Sequence, residues 1–143
     1  MHHPQAQWLE KAQCQELILR SASHVDAGQA LAFSELFTVD AVLIRPSGDK
    51  LVGREAIRDA YASRPAGRIT RHLLSNIVVE FCDENTALAR SYVLLWSTTR
   101  GAEDESGHGG ASPKQAVGEF ADRLVKLAGG LWLIQARHAS FVM

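Results

Sequence analysis

The chain has 143 residues, 46% of them hydrophobic, and a formal net charge of -1. That length makes one domain, and that composition fills a core without metal or disulfide staples. The balanced charge forms no basic stripe, which argues against nucleic acid as the main partner, and no apolar run is long enough for a membrane span.

The start of the chain lacks the basic region and apolar stretch of a signal peptide, so cytoplasmic residence is the expectation. His2 and His3 read as part of a mobile tail. In residues 8–25, Cys14, Leu17, Ile18, Ala22 and Val25 recur at three- and four-residue spacing, which predicts a helix with one buried face. Gly28 is a suitable stop. A short second helix follows, with Ala30, Phe33, Leu36 and Phe37 on one side. Asp40 leads into the short strand Ala41-Val42-Leu43-Ile44. The turn Pro46-Ser47-Gly48-Asp49 lets Lys50-Leu51-Val52 return beside it. Gly53-Arg54-Glu55 opens a third helix carrying Ile57, Ala60 and Tyr61, which Pro65 and Gly67 end.

The second half changes period. Residues 69–81, 86–99, 116–127 and 131–142 are strand-like runs centred on Val, Ile, Leu, Phe and Trp. Short turns at 82–85 and 128–130 predict antiparallel hairpins. Residues 100–115, rich in Gly, Ser and acids, read as a mobile hairpin loop. Helices followed by an antiparallel meander make an α+β pattern. Straight runs of this length would span roughly 40 Å, so the strands must bend or bulge. A curved sheet wrapped over three helices leaves a concave space suited to a small molecule.

Two acid/base candidates stand out. Asp26 ends the first helix, where it either caps the second helix or points into the concave space. His72 opens the first long strand. Strand parity puts it with Leu74, Asn76 and Val78, opposite the more apolar face of Leu73, Ser75, Ile77, Val79 and Phe81. His72 therefore faces inward only if the strand bends or bulges. If it does, the carboxylate would fix the imidazole tautomer, and the other ring nitrogen would move a proton.

Asn76 and Tyr92 are candidates for donating hydrogen bonds to a substrate oxygen. Tyr61, Phe120 and Trp132 read as packing residues that also line the pocket. Asp122 and Arg123 alternate across a strand. Arg90 and Arg137 are placed on the outer sheet face, paired with acids such as Glu80 or Glu119. Cys14 and Cys82 fit neither a disulfide framework nor a CxxC motif and read as buried free thiols. His24, His72, His108 and His138 make no close ligand pattern, and neither HxH nor HExxH occurs, so no metal and no cofactor is expected. In residues 86–99 both faces are apolar, which predicts a homodimer through the sheet.

Asp26-Ala27-Gly28, residues 36–43, Gly53-Arg54-Glu55-Ala56-Ile57, Arg71-His72-Leu73-Leu74-Ser75-Asn76, Phe120-Ala121-Asp122-Arg123-Leu124 and Gly130-Leu131-Trp132 follow one another as in the SnoaL-like branch of the NTF2-like superfamily. The chain resembles that branch over nearly its whole length, as a single domain over 1–143. The resemblance implies a cone of three amino-terminal helices packed on a strongly curved, mainly antiparallel sheet. Within the superfamily the chain is similar to the scytalone dehydratase and bile-acid dehydratase group, where an Asp and a His at the positions of Asp26 and His72 face the pocket. Scytalone dehydratase also uses pocket tyrosines and a second histidine; Val25 and Ser97 stand near two of those places here. The second half also resembles the β subunit of ring-hydroxylating dioxygenases, which is mainly structural. The resemblance implies a dehydratase or isomerase acting without cofactor on a hydrophobic, cyclic or polyketide-like small molecule. Its alternative is a non-catalytic ligand-binding or assembly module.

Overall fold

The structure, a computed structural model, describes residues 4–100 and 112–143. The expected tail with His2 and His3, and most of the expected loop over 100–115, lie outside the described residues. The elements in chain order are α1 (Pro4–Asp26), α2 (Ala30–Ser34), β1 (Phe37–Ile44), β2 (Lys50–Val52), α3 (Arg54–Ala62), β3 (Arg68–Phe81), β4 (Thr86–Thr99), β5 (Lys114–Lys126) and β6 (Trp132–Phe141).

α1 buries the stripe Cys14, Leu17, Ile18, Ser21 and Ala22, which is one helix face. It ends where Gly28 adopts φ 70° and the Gln29 N–H reaches back 2.9 Å to the His24 carbonyl. The next helix is shorter than its spacing predicts. Phe33 and Phe37 stand four apart as on a helix, yet the helix stops at Ser34 and β1 already starts at Phe37. The β-branched pair Thr38-Val39 favours extension there. The two rings still meet edge-on, with centroids 5.0 Å apart. α3 starts after Gly53 at φ 94°, and Arg54 clamps it to β1 by donating Nε and Nη2 to the Phe37 carbonyl at 2.9 and 2.6 Å.

The sheet has six strands in the order β2-β1-β6-β5-β4-β3. Among the described residues only the β1–β6 pair is parallel; the other pairs are antiparallel. Three helices packed on this sheet give the expected α+β architecture.

Two bulges decide which side chains face the helices. Ser75 pairs with Tyr92, but the next pair is Val78 with Arg90, so β3 carries one extra residue. Asn76 sits there at φ 53°. Before the bulge Thr70, His72 and Leu74 face inward; after it Ile77, Val79 and Phe81 do. The parity conflict around His72 is thereby removed. In β6, Ile134 pairs with Leu124 and Ala136 with Arg123, leaving Gln135 as the extra residue. Trp132 and Ile134 face inward on one side of it, Arg137 and Ala139 on the other. Arg137 therefore does not lie on the outer face, as simple alternation suggests; it is 4% exposed.

The core fills one part of the cone with Cys14, Ile18, Val79, Leu124, Trp132 and Ile134, joined by the small Ala87 and Ala89 of β4. Full burial of each large apolar side chain contributes roughly 1.5–3 kcal/mol. Burial pushes the Cys14 thiol up to about 12, with the neighbouring Glu10 charge adding to it. Cys82 departs from the expectation of burial: it is exposed in the turn between β3 and β4. Among the described residues no helix is long and apolar enough to cross a membrane.

Candidate functional site

The site is built where α1 ends against the start of β3. Helix termination leaves the last carbonyls of α1 without partners inside the helix. Arg64 takes one of them, donating Nη1 to the Val25 carbonyl at 2.6 Å. A cation there also suits the negative end of the helix dipole. Nη2 of the same guanidinium donates to Thr70 Oγ1 at 2.9 Å and to the Arg68 carbonyl at 3.1 Å. Arg64 thus ties the end of α1 to the first residues of β3.

That clamp brings Asp26 onto β3. Its Oδ2 accepts the His72 backbone N–H at 2.9 Å, and its Oδ1 accepts the Thr70 hydroxyl at 2.9 Å. Oδ1 also lies 2.6 Å from His72 Nδ1, which makes Nδ1–H the donor and leaves Nε2 as the other ring nitrogen. The alternative capping role is absent: the residue before α2 is Gln29, and no side chain caps that helix. The two side chains are 14% and 16% exposed, so the pair is largely sheltered. Burial by itself raises the Asp26 carboxyl. The His72 ring, the His72 backbone N–H and the Thr70 hydroxyl outweigh it and hold the carboxyl below its ordinary range.

His72 lines a cavity of about 100 Å³ between α1, α3 and the inner sheet face. Val25, Phe33, Leu43, Val93 and Leu95 give it mostly apolar walls. Arg137 supplies a buried cation in that wall. Its Nε and Nη2 donate to both oxygens of Asp122 at 2.7 and 2.9 Å, and its Nη1 donates to Ser21 Oγ at 2.9 Å. The guanidinium lies 4.0 Å over the Phe120 ring. The cavity therefore sets an imidazole held by a carboxylate among apolar walls that also hold a neutralised Arg137–Asp122 ion pair.

Of the residues expected from the sequence, Asp26 and His72 come together. Tyr61 and Phe120 line the cavity, and burial pushes the Tyr61 hydroxyl upward against the opposing charges of Arg137 and Arg45. The other three do not line it. Asn76 occupies the β3 bulge and is exposed. Tyr92 is 50% exposed on the outer sheet face, because β4 turns its even-numbered residues there. Trp132 is buried against Phe81, with centroids 5.9 Å apart, away from the cavity.

Ser21, Arg64, Thr70, Asp122 and Arg137 went unnoticed or misplaced in the sequence. One signal for Asp122 was present: it shares strand parity with Phe120 and Leu124, which face inward. Among the described residues no group of three His, Cys, Asp or Glu side chains stands together as a metal site would require.

The chain matches no curated protein. Solved structures share its fold. A provisionally named scytalone dehydratase from Novosphingobium aromaticivorans superposes with a TM-score of 0.81 at 22% identity, over 96% of this chain and 87% of that one. Rv3472 of Mycobacterium tuberculosis, a protein of unknown function, superposes with a TM-score of 0.82 at 26% identity, over 97% and 76%. ActVI-ORFA from Streptomyces coelicolor gives 0.75 at 19% identity, over 92% and 96%. The SnoaL-like domain matches residues 6–138, which take in α1 with Asp26, β3 with His72 and β6 with Arg137. By that match over almost its entire length, the chain belongs to the SnoaL-like family.

Proposed function

We propose that this protein is a cofactor-independent acid/base enzyme, a dehydratase or isomerase, acting on a hydrophobic cyclic or polyketide-like molecule. The observation that carries this reading is the 2.6 Å contact of Asp26 Oδ1 with His72 Nδ1 beside an apolar cavity. Asp26 holds the ring with Nδ1 protonated, so Nε2 is available as a base. Nε2 takes a proton from the carbon next to a carbonyl. In a dehydratase the β-hydroxyl then leaves with that proton, so that water and a conjugated double bond form. In an isomerase the proton returns to a different carbon. Negative charge gathers on the carbonyl oxygen in either case. Tyr61 and Phe120 shape the space for a ring.

The test is a panel of cyclic β-hydroxy ketones followed by ultraviolet absorbance, because loss of water creates an absorbing enone. Wild-type protein should turn over at least one of them, and His72→Ala should lose that turnover while keeping its circular dichroism spectrum. Equal turnover by His72→Ala removes the mechanism.

A specific observation also favours assembly. Leu73, Val78, Leu88, Tyr92 and Trp96 are exposed on the outer sheet face. In this proposal that face joins two copies as a homodimer, and in the non-catalytic alternative assembly is its whole role. Cys14 and Cys82 are free thiols, which fits the reducing cytoplasm as the place of residence.

A further inference from the structure

The apolar cavity does not end at His72. It adjoins a cleft of about 570 Å³, and His72, Tyr61 and Val25 line both. The cleft has a different chemistry from the cavity. Arg45, Arg64 and Arg68 line it, and no Asp or Glu does among the described residues.

The three guanidiniums are not equivalent. Arg64 spends its donors on the Val25 carbonyl, the Arg68 carbonyl and Thr70, so it contributes fixed charge rather than adaptable hydrogen bonds. Burial first, and then the like charges of Arg68 and Arg71, outweigh the nearby Asp26 carboxylate and hold its guanidinium below the ordinary value. Arg45 uses Nη2 on Asp49 at the surface, while its Nε is buried and has no acceptor among the described residues. Arg68 is exposed, and its side chain makes no hydrogen bond among the described residues. A cleft lined by three guanidiniums, one of them uncommitted, is suited to an oxyanion.

We infer that the ligand has two parts: an apolar ring body seated beside His72, and a carboxylate or phosphate group that projects into the cleft and is bound by Arg45 and Arg68. This rests on the reading of the cavity as a small-molecule site. It narrows the substrate class to cyclic acids or their phosphate-bearing conjugates. The anionic group also fixes orientation, because a ring held by its charged tail presents one edge to Nε2.

The experiment uses three probes with one ring system: 2-naphthylacetate, 2-naphthyl phosphate and 2-naphthaleneethanol. Each is titrated calorimetrically into the full chain at low ionic strength. At least one anionic probe should bind about tenfold or more tighter than the alcohol, as a charge-assisted pair allows, and the advantage should shrink with added salt. Arg68→Gln should remove most of that advantage and leave the alcohol's affinity unchanged. Which of the two anions gains more separates a carboxylic acid from a phosphate conjugate. Alcohol and anions binding alike would overturn the oxyanion assignment while the cavity reading stands. No binding by any probe would overturn both.

Discussion

The Asp26 carboxylate accepts three hydrogen bonds from β3, and this concentration makes it a hinge between stability and chemistry. Folding lowers its pKa, so the unfolded chain holds the proton more tightly than the native one. The stabilisation is therefore complete above the unfolded value near 4 and fades as pH falls through the still lower native value. Asp26→Asn should cost roughly 1–3 kcal/mol at pH 7, since an amide cannot accept in all three directions. Urea denaturation of both forms at stepped pH should show the gap closing in acid; a gap that stays constant from neutral to acid pH would disprove the carboxylate's part. Asp122 differs in kind. It is 4% exposed and neutralises Arg137 with both oxygens. Asp122→Ala strands a buried cation, so thermal and chemical denaturation should report a loss of about 3–5 kcal/mol. A loss below about 1 kcal/mol would mean that water or another group compensates the guanidinium.

Strand bulges are the devices that turn this fold into a site. Without the extra residue at Asn76, His72 and Val79 could not both face the helices, and without the one at Gln135, neither could Ile134 and Arg137. Asn76 holds φ 53°, a left-handed conformation that costs a β-branched residue about 1–2 kcal/mol. Asn76→Val should lose that much stability in urea titration and reduce turnover, whereas Asn76→Gly should stay close to wild type; equal behaviour of the two would show that the bulge does not depend on this residue. The strand runs, the turns and the α+β order were readable from β-branched and aromatic stretches between turn residues. Asp26 and His72 were readable as candidates because one ended a helix and the other opened a strand. The inward turn of His72 was readable only as a condition, since alternation assigns parity and a bulge resets it. The same resetting misplaced Arg137, and no local pattern around Gln135 announces it. Arg64 was out of reach for another reason: its bonds to Val25 and Thr70 span separate elements, and only the folded chain brings them to one guanidinium.

The complete molecule presents two faces of one sheet with opposite demands. Inside, β3 carries His72 toward the cavity; outside, its neighbour Leu73 is 51% exposed. Leu73 pairs with Leu94 there, and Ser75 with Tyr92, while Arg90 stands beside Val78 and Glu80 beside Leu88, so apolar and charged side chains share the surface. Exposed Leu73, Val78, Leu88, Tyr92 and Trp96 on one sheet face suit the apolar part of an interface with a polar remainder, and a stable interface needs about 800 Å² from each partner. A second copy meeting the same surface about a two-fold axis would satisfy both conditions. Light scattering should then give twice the chain mass at micromolar concentration. The double substitution Leu73→Glu and Tyr92→Glu sets like charges against each other across that axis, and it should yield a monomer with unchanged circular dichroism. Because neither residue lines the cavity, the monomer should still bind the naphthyl probes, though β3 would lose the partner that braces its outer side. A wild type that stays monomeric across the concentration range would remove the homodimer. A monomeric variant that kept full turnover would show that the Asp26–His72 pair needs only its own sheet to hold its geometry.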